Sequence, residues 1–277
     1  MKRLAIIGLA TFILLFYFPA AAGATTRILV IPGHEPTSGG ASFRDTHERD
    51  LALELSILIA DELIHDGKFD AIISRDASLW LPELADHFVA RKEDILSFKR
   101  RHQFWERFLY IIGLRPKGDR GDAHTEVSDE TAIHLYGTNL WANENDIDLV
   151  LSVHFNDDFR KADQPGRSRG FTVFIPGDGL HNASTSLAIG RSLYAELKKV
   201  IPVTISDKVR EGIFPSNSLI ALGAYNTLDA SSVLVEYGFV YEPQFQSERS
   251  RAYAFEVMAK ATVAGILEHY SKYNEKR

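Results

Sequence analysis

The chain has 277 residues, 45% hydrophobic and 25% charged, with 19 glycines and 10 prolines. Those proportions exclude wholesale disorder, collagen-like repeats and a polytopic membrane protein. A formal net charge of -6 argues against a dedicated nucleic-acid binder. The lack of cysteine excludes disulfides, thiolate metal sites and cysteine nucleophiles, so any metal must be held by histidines and carboxylates.

Lys2 and Arg3 precede an apolar run over residues 4–18, followed by Pro19 and Ala20-Ala21-Ala22-Gly23-Ala24. A basic start, a short apolar stretch and small residues form the layout of a secretory signal, too short for an ordinary spanning helix. Residues 1–24 are therefore expected to be a signal peptide. Residues 25–277 would form the exported region, periplasmic or secreted, with an uncleaved anchor as the other reading.

Residues 27–31 are an apolar run closed by Pro32-Gly33, read as a buried strand and a break. Leu51, Leu55, Leu58, Ile59 and Leu63 recur at helical spacing, predicting a helix over 47–66 that ends at Gly67. Residues 71–74 follow as a strand. The stretch 77–140 lacks strand-like runs and mixes Arg91, Lys92, Lys99, Arg100, Arg101 and Arg107 with Phe98, Phe104, Trp105 and Phe108. It is expected to be a helical insertion between two strands, with a polar break from Arg115 to Asp122. Strands are then expected over 149–153, 171–175 and 232–235, with helices over 186–200 and 245–270. Alternating strands and helices predict an α/β fold: a twisted, mostly parallel sheet flanked by helices on both faces.

Three polar residues follow directly on three of these strands: His34, His154 and Glu236. If the strands are parallel, their side chains emerge at one carboxyl edge, where open α/β folds place ligands. Glu48 opens the first helix near that edge, where the partial positive charge of a helix amino end favours it. Two histidines and a carboxylate, with a position left for water, form a known catalytic zinc set, and a further carboxylate can carry the proton. Spacing alone does not identify the ligands. No HExxH helix is present, and His47 competes with its neighbour Glu48.

Here the chain resembles the zinc-dependent N-acetylmuramoyl-L-alanine amidases of bacterial cell walls. The blocks that carry the likeness are Ile31-Pro32-Gly33-His34, then Gly40-Ala41 with Glu48, then Ala142-Asn143, Asp148-Leu149 and Ser152-Val153-His154-Phe155-Asn156. Gly170-Phe171-Thr172-Val173, the Ser184 to Ala188 stretch and Val233-Leu234-Val235-Glu236-Tyr237-Gly238-Phe239 complete it. Carried over by position, the resemblance implies zinc held by His34, Glu48 and His154, with Glu236 as the catalytic carboxylate. It implies hydrolysis of the amide between N-acetylmuramic acid and the L-alanine of the peptidoglycan stem peptide. Glu35-Pro36 and Tyr241-Glu242 depart from the family pattern, which bears on substrate fit more than on metal binding.

Two other functions stay open at this point: another zinc peptidase or carboxypeptidase acting on stem peptides, and a non-catalytic wall-binding homologue. For 77–140 the first reading is extra packing with a solvated basic face. The second is a lid or a dock for an activating partner. Contact with a membrane or anionic wall polymers ranks last, and nucleic acid is not expected. The remaining histidines (65, 87, 102, 124, 134, 181 and 269) are expected to be surface or structural, with a plug over the metal as the alternative for those of the insertion.

Overall fold

The computed structural model describes residues 25–37, 39–113, 127–204 and 212–274. The expected signal peptide, the polar break from Arg115 to Asp122 and His124 lie outside them. Strands β1 (Thr26–Pro32), β4 (Phe69–Ile73), β5 (Leu149–Asn156) and β8 (Ser231–Phe239) pair in parallel. With β6 (Thr172–Pro176) and β7 (Ile213–Ser216) they complete a six-stranded sheet in the order β4-β1-β5-β8-β6-β7. β6 runs antiparallel to β8 and parallel to β7. The central strands read as near-continuous apolar runs because both faces of the sheet are covered.

One face is covered by α1 (Glu48–Asp66), α5 (Ala183–Leu197) and α6 (Glu248–Asn274). Leu149, Leu151, Val153 and Phe155 alternate along β5 into the main core, with Leu55 and Ile59 of α1 and Phe255 of α6. The opposite face takes α2 (Pro82–Ala90) and α4 (Asp129–Glu144), whose Leu84, Phe88, Trp141 and Ala142 pack on Leu29 and Val150. Between these two helices α3 (Lys92–Ile111) packs on α4 through Ile95 and Tyr136. The helical segment is therefore the sheet's second layer, and only α3 stands away from it. That outcome follows from α4 being the element that leads directly into β5.

Boundaries shift where local chemistry intervenes. α1 ends at Gly67, whose left-handed backbone (φ 77°) lets its N–H reach the Ile64 carbonyl at 3.0 Å. α6 begins at Glu248 because Pro243–Phe245 forms a separate 3-10 turn with Phe245 buried. β7 and a small hairpin, β2 (Ser42–Phe43) with β3 (Thr46–His47), were not foreseen. β7 contains Pro215, which an edge strand tolerates because one side of it needs no ladder partner.

Candidate metal centre

Parallel pairing places the ends of β1, β5 and β8 on one edge of the sheet, and three expected site residues follow from it. His154 forms the last pair of β5 with β8 before a register shift, and its partner across the ladder is Glu236. His34 follows β1 by two residues and holds a left-handed backbone with φ 65°, a strained conformation for a residue with a Cβ. The hairpin β2–β3 then turns the chain into α1, so that Glu48 enters the same neighbourhood from the helix start. Glu48 N–H donates to the Ala41 carbonyl at 2.9 Å, and Ala41 N–H returns a bond to Glu48 Oε2 at 3.0 Å.

The three side chains converge. Glu48 Oε2 lies 2.7 Å from His34 Nε2, and Glu48 Oε1 lies 3.0 Å from His154 Nδ1. One donor atom from each of the three lies within 4.8 Å of the other two. The imidazoles meet edge to face, with centroids 5.4 Å apart. Phe155 N–H also donates to Glu48 Oε1 at 3.2 Å, fixing the carboxylate plane against the strand. Burial by itself pushes the Glu48 carboxyl up, but the hydrogen bonds and charges of His154 and His34 outweigh it and bring it down to about 2. Glu48 is therefore anionic, between two nitrogens that carry lone pairs when neutral. A divalent cation of borderline softness fits that donor set.

Two glycines make the approach possible. A Cβ on Gly33 would fall 2.7 Å from the His154 ring. One on Gly40, already at φ 63°, would fall 2.4 Å from the His34 ring and 2.7 Å from Glu48 Oε2.

Glu236 stands beside this cluster in a different state. Its Oε2 is buried without a hydrogen-bond partner among the described residues. Burial, helped by the negative charge of Glu48, raises its carboxyl to about 8. His47 stays outside the cluster, as do the described histidines of the helical segment. His134 is held elsewhere: its Nδ1 lies 2.6 Å from Glu35 Oε1, and its ring packs against Trp80 and Phe88 at 5.0 and 5.1 Å.

Sequence reasoning missed Arg75. It is buried after β4, and its guanidinium donates to the carbonyls of His34 at 2.9 Å, Gly33 at 2.7 Å and Pro32 at 3.3 Å. It also donates to the carbonyls of Arg49 at 3.0 Å and Asp76 at 3.0 Å. One side chain thus ties the loop bearing His34 to the helix bearing Glu48. Burial lowers it to about 10, so it stays charged at neutral pH. A signal was present: Ser74-Arg75 follows an apolar strand, the same position from which His154 and Glu236 were read.

Other blocks of the sequence pattern serve the scaffold. Asn143 bonds the Thr227 carbonyl at 3.1 Å and accepts from Asp229 N–H at 2.9 Å, anchoring α4 to the turn that feeds β8. Ser186 accepts from Ser232 N–H at 2.8 Å. Glu242, one of the departures, accepts from the N–H groups of Gly170 and Phe239 at 2.9 and 2.8 Å, closing the loop after β8 onto the start of β6.

The family model described as N-acetylmuramoyl-L-alanine amidase matches residues 28–268. Among solved structures, an N-acetylmuramoyl-L-alanine amidase from Clostridium difficile 630 is similar at 15% identity and TM-score 0.56, over 89% of this chain and 97% of that one. The CwlD amidase from Clostridioides difficile, solved in complex with the GerS lipoprotein, gives 17% and 0.58 over 89% and 98%. Ami1 from Mycobacterium smegmatis gives 17% and 0.57 over 89% and 97%. No curated protein matches the sequence.

Proposed function

The chain belongs to the N-acetylmuramoyl-L-alanine amidase family, and from that premise we propose that it cleaves the amide joining muramic acid to L-alanine of the peptidoglycan stem with a zinc ion held by His34, Glu48 and His154. The observation that carries the metal assignment is the convergence of these three donors, within 4.8 Å, from elements far apart in the chain. Zinc in such a set polarises a carbonyl and makes a water acidic near neutral pH.

The remaining work falls to protein groups. Glu48, anionic and held by the Ala41 and Phe155 N–H groups, would supply the charged ligand between the two imidazoles. Glu236 takes the proton of the attacking water and delivers it to the leaving amide nitrogen. Burial suits it to this task, because a carboxyl with raised proton affinity both accepts and releases a proton close to neutral pH. Arg75 keeps the strained His34 loop at its distance from α1. A peptidoglycan substrate places the working protein outside the cytoplasm, in agreement with the leader expected over residues 1–24.

The test is metal analysis of the purified protein combined with mass spectrometry of digested wall. His34→Ala and His154→Ala lose bound zinc, whereas Glu236→Gln keeps zinc and loses turnover by about 10²–10⁴-fold. Free stem peptides with an intact amino-terminal L-alanine are the expected products. Release of only a terminal amino acid would contradict the amidase assignment, and full activity of Glu236→Gln would remove its role as proton carrier.

A further inference from the structure

The carboxyl-terminal half of α3 turns an apolar stripe outward. Phe104, Trp105, Phe108, Ile111 and Ile112 are 63%, 55%, 42%, 71% and 47% exposed. At helical spacing these positions share one face, opposite the face through which Ile95 joins α4. The aromatic three form a cluster of their own: Phe104–Trp105 centroids lie 5.7 Å apart, Trp105–Phe108 5.8 Å and Phe104–Phe108 6.4 Å. Contiguous exposed apolar surface of this kind marks an interaction site. Arg100 and Arg107 lie along one edge of the stripe, and Arg101 stands at its start, four residues before Trp105; all three are exposed. The sequence from Lys99 to Ile112 holds four cationic side chains, Lys99, Arg100, Arg101 and Arg107, against the single acid Glu106, although the chain as a whole carries a net charge of -6.

We propose that this stripe docks the protein onto an anionic lipid bilayer, with the aromatic and isoleucine side chains at the headgroup boundary and the arginines against lipid phosphates. The combination of apolar and cationic groups selects that occupant. A wall polymer would answer the arginines and could lay sugar faces on single rings, but it has no apolar phase to take Ile111 and Ile112. A second copy of the chain would bring the excess positive charge of this segment against itself. A bilayer answers both, because long cationic side chains reach the headgroups while apolar neighbours enter the acyl boundary. The contact is peripheral: no described helix is long and apolar enough to cross a membrane. This inference stands apart from the metal assignment. Its consequence for an amidase is confinement to wall close to the membrane.

The absence of cysteine provides a local test. An environment-sensitive fluorophore is attached to the full chain at Ile111→Cys, and in a control at Val200→Cys, an exposed position far along the chain. Vesicles of equal phosphatidylglycerol and phosphatidylcholine are expected to shift the emission at position 111 to the blue and leave the control unchanged. Pure phosphatidylcholine vesicles are expected to give little shift. Replacing Arg100, Arg101 and Arg107 with glutamine is expected to weaken vesicle affinity about fivefold per charge removed, and raised salt acts in the same direction. No shift on the anionic vesicles, or an equal shift on neutral ones, overturns the proposal. So does a shift that grows with protein concentration without lipid, which would assign the stripe to self-pairing, or one that needs a protein partner in place of lipid.

Discussion

The two faces of the sheet are finished in different ways. Against α1, α5 and α6 the strands bury one continuous apolar cluster, in which Phe155, Phe245 and Phe255 lie ring to ring at 5.0 to 5.8 Å. Against α2 and α4 the apolar cluster is smaller, and polar clamps take over at its margins: Asn139 to the Ile220 carbonyl, Asn143 to the Thr227 carbonyl and Lys99 to Asp129. The first face fixes the strand ends and the helix that supplies Glu48. The second holds the loop after His34 from the side, through Glu35 and His134, and leaves the stripe of α3 over for contacts outside the molecule. Stability and adjustment of the site are thus assigned to opposite sides of one sheet.

That division can be broken most directly in the core. Phe155→Ala removes a fully buried ring from the larger face, and we expect a loss of about 3–5 kcal/mol of unfolding free energy in a denaturant titration. Phe88→Ala on the other face removes a ring whose partners, Trp80 and His134, are themselves only partly buried, and a loss of about 1–3 kcal/mol is expected. Equal losses would mean that the faces do not differ in the way their packing suggests.

The sequence made the first face easy to read and the second hard. Strand-length apolar runs and the 3.6 spacing of Leu51, Leu55, Ile59 and Leu63 report burial directly, and those residues are in the main core. The residues of the candidate centre were legible because each stands where an apolar strand or a helix start meets a polar side chain. The helical segment gave no comparable signal of its place. Trp141 and Ala142 face the sheet, but α4 carries apolar side chains on several sides, so periodicity could not say which side packs. Arg75 escaped for a different reason. Its partners are backbone carbonyls, and a carbonyl leaves no trace in residue identity.

The Arg75 clamp yields the second test. Arg75→Met keeps an unbranched stem but removes every donor, freeing the carbonyls of the His34 loop. Groups that orient metal ligands in this way are worth about 10–100-fold in metal affinity. We expect a decrease of that size in zinc affinity, measured by competition with a chelator. Arg75→Lys recovers only part of it, because an ammonium cannot span the carbonyls that a planar guanidinium reaches. Unchanged zinc affinity in Arg75→Met would show that the loop holds its strained form without help from β4.

The smallest expected effect belongs to the pair that joins the same loop to the second face. Glu35→Gln removes the charge from a contact of 2.6 Å to His134 while leaving an amide able to bond the ring. A single part-buried hydrogen bond contributes about 0.5–1.5 kcal/mol, so a change in zinc affinity of less than about tenfold is expected. The two clamps act on adjacent residues, His34 and Glu35, and their effects therefore should not add. With Arg75 in place the loop has one restraint to fall back on, and Glu35→Gln exposes only part of what His134 contributes. With Arg75→Met already present the loop relies on His134, and the same change becomes larger. The double variant should lose more zinc affinity than the two single losses combined. Strict additivity would show that Arg75 and His134 restrain separate motions, and the second face would then tune the substrate side of the loop without acting on the metal.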